Sequence, residues 1–303
     1  MGVIYVELLQ LHYFQVAAYH EHISRAAEEL NISQPALSTM ISRLERELGV
    51  ELFDHSGRSI SLNENGRLFL ARVNRILNEV ESSKQELQDI AQNTVSVIRL
   101  AASSPQFLRG IQNFIAEHPN YKWSQRVTDN KEIETLMRRG KIDLAITTPG
   151  IHGDDFESIL LQRESFKVAV HKSHPLSRQK SVRLADLTDE RFILLLKDLP
   201  FRTQTDQIFA EAGIYPRFIM ECDHLLRRDL INAGVGITIA SQSAAFRHLY
   251  NDEVCFLDIE DTTQTREIVM TLPKNRYVNK GTRQFAEYIR KKFTDSPFSQ
   301  SKS

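Results

Sequence analysis

The sequence predicts an α/β protein in two parts: an N-terminal winged helix-turn-helix continued by a long linker helix, then a larger α/β domain. Three observations predict it. Residues 23–45 read as two short helices meeting at a tight turn, with polar residues opposite an apolar stripe. Residues 63–90 keep apolar side chains at a three-four spacing with no turn signal. From Asn93 on, short apolar runs alternate with amphipathic stretches, the pattern of parallel strands joined by helices.

Residues 7–17 are expected to form an amphipathic first helix with Leu8, Leu11, Phe14 and Val16 in the core. Ser24 is placed to cap the next helix and Ser33 the one after, since a side-chain oxygen there satisfies orphan amides. Pro35, in the first turn, has no amide to leave unpaired. Leu37, Ile41 and Leu44 make a stripe that packs on the small Ala26 and Ala27 and on Leu30. Burying that stripe turns Pro35, Ser38, Thr39, Ser42, Arg43 and Arg46 outward, because each residue advances about 100° around the axis. Gly49 suits a C-cap, and residues 50–53 and 59–62 alternate like a hairpin, a wing with Leu52, Phe53 and Leu62 inward and Arg58 at its tip. Asn63 then caps a helix to about Ile90. Its Leu70, Val73, Leu77, Val80, Leu87 and Ala91, broken only by Lys84, read as a coiled-coil seam that joins two chains antiparallel.

In the second part, residues 97–102, 123–127 and 142–148 read as strands, with helices opening at Ser104-Pro105 and over 133–139. Residues 166–170 cross into a second lobe with strands at 192–196, 218–221 and 236–240 and helices at 205–212 and 225–233. Residues 266–272 return to the first lobe, and a helix over 283–293 closes it before a polar tail. The expected division is 1–62, 63–92 and 93–303, the last with lobe I at about 93–163 and 268–296 and lobe II at about 164–267.

With 303 residues, 41% hydrophobic and 25% charged, the chain is long enough for two or three packed units. Apolar runs such as 192–196 fall far below the roughly 20 residues that span a bilayer, and no secretory leader is apparent, so a cytoplasmic protein is expected. Cys222 and Cys255 form no Cys-x-x-Cys, which argues against zinc or a disulfide framework. Residues 1–92 carry 8 basic and 13 acidic residues, net −5, while the remainder is net +4. A generic basic patch is therefore absent, and any nucleic-acid claim rests on which helix face carries Arg43, Arg46 and Arg58.

The run Ala26-Ala27-Glu28-Glu29-Leu30-Asn31-Ile32-Ser33-Gln34-Pro35-Ala36-Leu37-Ser38, followed by residues 44–53 and then Gly57-Arg58, Leu62 and Gly66, closely resembles the LysR-type transcriptional regulators. The Asp143-Leu144-Ala145-Ile146, His174-Pro175-Leu176 and Leu184-Ala185-Asp186-Leu187 stretches extend the resemblance. It implies a ligand-responsive, sequence-specific regulator whose sensing domain is a two-lobed, periplasmic-binding-protein-like (type II) fold. It also implies double-stranded promoter DNA, a small-molecule effector and a homodimer or homotetramer as partners. In this family the positions of Gln34, Pro35, Ser38 and Thr39 approach bases and backbone, and His55 stands where arginine is common; Arg43, from its helix face, is expected to point at the duplex, and Arg58, at the wing tip, to meet a phosphate or enter the minor groove.

For the effector, Ser103, Ser104 and Gln106 lie where a strand gives way to a helix, so free amides and hydroxyls can hold an anion such as an organic acid. Thr128 and Thr147 line the same mouth, and Lys197, Phe201 and Arg202 face it from the second lobe. Gly234-Val235-Gly236 follows a helix and precedes a strand, the reverse of a dinucleotide fingerprint, and His171 and His174 have no accompanying ligand cluster. No cofactor, metal or catalytic constellation is expected. The competing reading is a small-molecule-binding or catalytic α/β protein with an appended helical assembly domain.

Overall fold

The structure, a computed structural model, describes residues 6–56, 59–91, 96–108, 111–242 and 250–294. Helix α1 (Leu8–His20) opens with a reciprocal capping box between Glu7 and Gln10 and buries Leu11, Phe14 and Val16. Leu8 departs from expectation at 49% exposed, because it begins the helix and its side chain leans back past the packed face.

Helices α2 (Ile23–Leu30) and α3 (Gln34–Leu48) pack through Ala26 and Ala27 against Leu37, Ile41 and Leu44, all buried. Ser33 caps α3 by accepting from the Ala36 amide at 3.4 Å. Ser24 does not cap α2. His22 holds that position without a side-chain bond, and Ser24, inside the first turn, donates instead to Gln34 Oε1 at 3.1 Å. Gly49, at φ 72°, ends α3. Strands β1 (Phe53–Ser56) and β2 (Ser59–Leu62) form the wing, pinned to α3 because Glu45 accepts the Leu52 and Phe53 amides at 2.8 and 3.3 Å.

Helix α4 (Glu64–Ile90), capped by Asn63, passes so close to the wing that a Cβ on Gly66 would lie 2.1 Å from the Leu52 carbonyl oxygen. The seam expectation needs correcting. Val73 is fully buried in the core of its own winged domain, and Leu70 and Leu77 pack beside it. Asn74, also buried, accepts from Gln15 Nε2 at 2.7 Å and donates to the Tyr19 hydroxyl at 2.8 Å. The apolar side chains α4 leaves exposed are Leu68, Ile76, Leu87 and Ile90, at 65, 43, 67 and 72%. Periodicity alone cannot separate two adjacent apolar stripes on one long helix.

The second compact unit starts with β3 (Val97–Ala102), a 3-10 turn over Pro105–Leu108 and α5 (Ile111–Glu117), where a single helix was expected. Next come β4 (Lys122–Val127), α6 (Asn130–Arg138), β5 (Leu144–Thr147) and β6 (Phe156–His171). The rest is β7 (Ser181–Val182), β8 (Phe192–Leu195), α7 (Pro200–Glu211), β9 (Phe218–Cys222), α8 (His224–Asn232), β10 (Thr238–Ser241), β11 (Val254–Ile259), β12 (Thr265–Pro273) and α9 (Lys280–Thr294). Strands β4, β3 and β5 are parallel, and β12 runs antiparallel between β5 and β6. The crossing between lobes is the middle of a strand: β6 pairs with β12 as far as Ser165 and with β10 and β11 from Phe166 on. Helix α7 starts five residues before the expected 205, with Pro200 at its first position.

Candidate functional site

On α3 the face opposite the buried stripe presents Gln34, Pro35, Thr39, Ser42, Arg43 and Arg46 to solvent, with Ser38 half-buried. Ser24 occupies the Gln34 Oε1 and leaves its NH2 group available. Thr39 donates to the Pro35 carbonyl at 2.8 Å, so its methyl and lone pairs are what it offers. Arg43 is not a bare cation: it pairs with Glu47 at 2.8 Å, which holds that carboxyl below its usual range. Arg58 lies outside the described residues.

In the second unit, Ser103 and Ser104 follow β3 and Thr147 and Thr148 end β5, so the carboxyl ends of two parallel strands converge. Ser103 Oγ accepts the Thr148 amide at 3.1 Å and braces the strand ends. Among the described residues the buried Ser104 and Thr147 hydroxyls find no partner. From the other lobe, Gln204 on α7 reaches Thr148 Oγ1 at 3.4 Å, its own Oε1 buried and unpaired. Between the lobes Arg266, fully buried at the start of β12, stacks over Phe107 and Phe201, 5.6 and 4.9 Å from their ring centroids. It pairs with Glu164, its partner in the β6/β12 register, at 2.5 Å and donates to Ser241 at 3.1 Å. Arg227 of α8 lies 5.4 Å from the same Phe201 ring. Burial, reinforced by Arg227 and Arg266, pushes the His224 pKa down to about 4.

The family described as bacterial regulatory helix-turn-helix protein, lysR family, matches residues 8–67, and the LysR substrate binding domain family matches 92–294. The chain belongs to the LysR family of transcriptional regulators. It is 31% identical over 300 residues to the uncharacterized regulator YybE of Bacillus subtilis, covering 96% of this chain and all of that one. To the transcriptional dual regulator GltC of the same organism it is 30% identical, covering 94 and 96% of the two chains. The fold matches full-length OxyR of Pseudomonas aeruginosa with a TM-score of 0.66 at 20% identity, 99% of each chain being covered. Full-length BenM, 26% identical, matches at 0.55 over 95% of this chain and 97% of that one. Like its relatives, this LysR regulator is a ligand-responsive DNA-binding regulator and not an enzyme, of a family that takes small-molecule effectors in the substrate-binding domain and forms oligomers. No helix among the described residues is long and apolar enough to cross a membrane.

Within this LysR domain the expected effector residues do not all meet. Ser103, Ser104 and Thr147 converge as the topology requires, while the Gln106 side chain lies outside what is described. The Thr128 hydroxyl donates to Glu132. Lys197 is solvent-exposed. Arg202 is spent inside its own lobe on the Leu195 carbonyl, Asp206 and Glu221, each at 2.6 Å, because α7 starts early enough to place it under β8 and β9. Among the described residues, the charged side chains that meet around Phe201 are instead Arg227 and Arg266, the latter with Glu164. A signal for Arg266 existed: it alternates in phase with Ile268 and Met270, both buried, so a cation stood on a core face.

Proposed function

We propose that this regulator reads its operator with the outer face of α3 laid in the major groove, where Gln34, Pro35, Ser38 and Thr39 meet bases and backbone and Arg43 and Arg58 meet phosphates. What carries the reading is the burial of Leu37, Ile41 and Leu44, which turns that polar face toward solvent. Arg43 exchanges Glu47 for a phosphate. That exchange is cheap, since the pair is exposed and solvent screens it. CbnR, a LysR regulator solved with its target DNA and 25% identical to this chain, supports the same use of the fold. Residues 1–62 form the reading head and 63–92 the connection, and two chains join through the exposed Leu68, Ile76, Leu87 and Ile90 of α4. The effector binds between the lobes of 93–303, against Ser103, Ser104 and Thr147. A DNA-bound regulator of this kind works in the cytoplasm.

The test is fluorescence anisotropy with the region upstream of the chain's own gene against random duplex. Ser38→Ala should cost roughly 1–3 kcal/mol at the specific site if it touches a base. Arg43→Gln should weaken all duplexes and flatten the salt slope by about one unit. Equal affinity of the unaltered protein for both duplexes at every salt concentration defeats the proposal.

A further inference from the structure

Among the described residues, the charges enclosed in the cleft do not balance. Arg266 has Glu164. Arg227 is 2% exposed, yet among the described residues no carboxylate pairs with it. Among those residues it makes a 3.5 Å contact from Nη1 to the Ile239 carbonyl, and Nε, buried, finds no partner there. Glu164 gives its Oε1 to Arg266 and makes no pair with Arg227. Asp223, one turn earlier, caps α8, its Oδ1 accepting the Leu225 and Leu226 amides at 2.8 and 2.9 Å, and makes no ion pair with Arg227. The Cys222 thiol, whose pKa burial raises, stays protonated, and His224 is neutral at pH 7. The Phe201 ring face offsets only part of the charge. A buried guanidinium left in this state is costly, and such a cost is removed by a ligand that brings the missing charge.

We propose that Arg227 is the anion receptor of the effector cleft. The effector carries one compact anionic group, a carboxylate or an inorganic oxyanion, which takes Arg227, while the unpaired Ser104 and Thr147 hydroxyls and Gln204 Oε1 hold the rest of it. This rests on the cleft reading above and adds the ligand's charge class and the residue that reads it. Because Arg227 and Gln204 belong to one lobe and Ser104 and Thr147 to the other, the same anion ties the lobes together.

The test is thermal shift and calorimetry on the full-length protein at constant ionic strength. The probes are sulfate, phosphate, succinate and phenylacetate, with succinamide and phenylacetamide as neutral counterparts. At least one anion should raise the melting temperature above the chloride baseline while its amide does not. Arg227→Gln should weaken that anion about thirtyfold or more. Arg227→Lys, which keeps the charge and loses the planar pair of donors, should fall between, and it decides the matter if Arg227→Gln does not fold. A response from oxyanions alone identifies a free inorganic anion; a response from succinate or phenylacetate identifies an organic acid. No response to any anion, or one unchanged in both Arg227 variants, overturns the proposal. Amide binding that needs Ser104 and Thr147 but not Arg227 also overturns it and leaves the cleft reading standing. An anion response that needs Arg227 but ignores Ser104→Ala and Thr147→Ala fails the cleft reading instead.

Discussion

Val73→Ala and Leu87→Ala take apolar atoms from the same helix and should read out in different experiments. Val73 is fully buried against α1 and the wing, so losing its two methyls forfeits about 0.8 kcal/mol each in transfer plus a cavity contribution, about 2–3 kcal/mol in all. In a unit of this size each kcal/mol moves the midpoint by about 4–8 °C, so the winged domain should melt about 8–24 °C lower. Leu87, 67% exposed, should move the melt by under about 0.5 kcal/mol. In the seam, though, about two-thirds of a leucine's worth of roughly 1.5–3 kcal/mol remains to be buried in each chain, and two-fold symmetry doubles it to about 2–4 kcal/mol. The dimer dissociation constant should then rise about 30- to 900-fold. Hydrogen exchange at α1 reports the first effect, and sedimentation equilibrium of a 6–91 fragment the second. The reasoning fails if Val73→Ala weakens the dimer without loosening α1, or if Leu87→Ala leaves the constant within about threefold.

Ser33→Ala removes the α3 cap and should cost about 1 kcal/mol in a urea melt; an unchanged midpoint would mean that water replaces the bond. Arg202→Gln strips Asp206, Glu221 and a buried carbonyl of their donor, so it should destabilise the effector unit by roughly 2–4 kcal/mol while leaving the affinity of any cleft ligand intact, and a selective loss of affinity would restore its cleft role. His224 couples stability to acid. With its pKa held at about 4 in the fold against an ordinary 6.5, the neutral ring is favoured, so stability is complete above about pH 6.5 and is lost as pH falls toward 4, by as much as about 3 kcal/mol. His224→Gln should flatten denaturant midpoints across that window, and a profile as steep as that of the unaltered protein would rule the coupling out.

What the sequence determined by itself is what local chemistry determines. The Ser33 and Asn63 caps, Gly49, the Leu37/Ile41/Leu44 stripe and the run of apolar strands state their roles within a few residues, and each stands where the spacing put it. The reading face was legible for the same reason, since burying one side of a helix fixes the other. Tertiary structure alone decided which of two apolar stripes on α4 faces its own domain, because both satisfy the same period and only the position of α1 separates them. It also decided the cleft. Arg202 and Arg227 look alike as arginines on short helices, and their fates differ because the Leu195 carbonyl and Glu221 of β9 join Asp206, one turn along α7, around the first, while among the described residues no carboxylate pairs with the second. Charge compensation at a buried site is a sum over neighbours that are far apart in sequence, and no local pattern contains that sum.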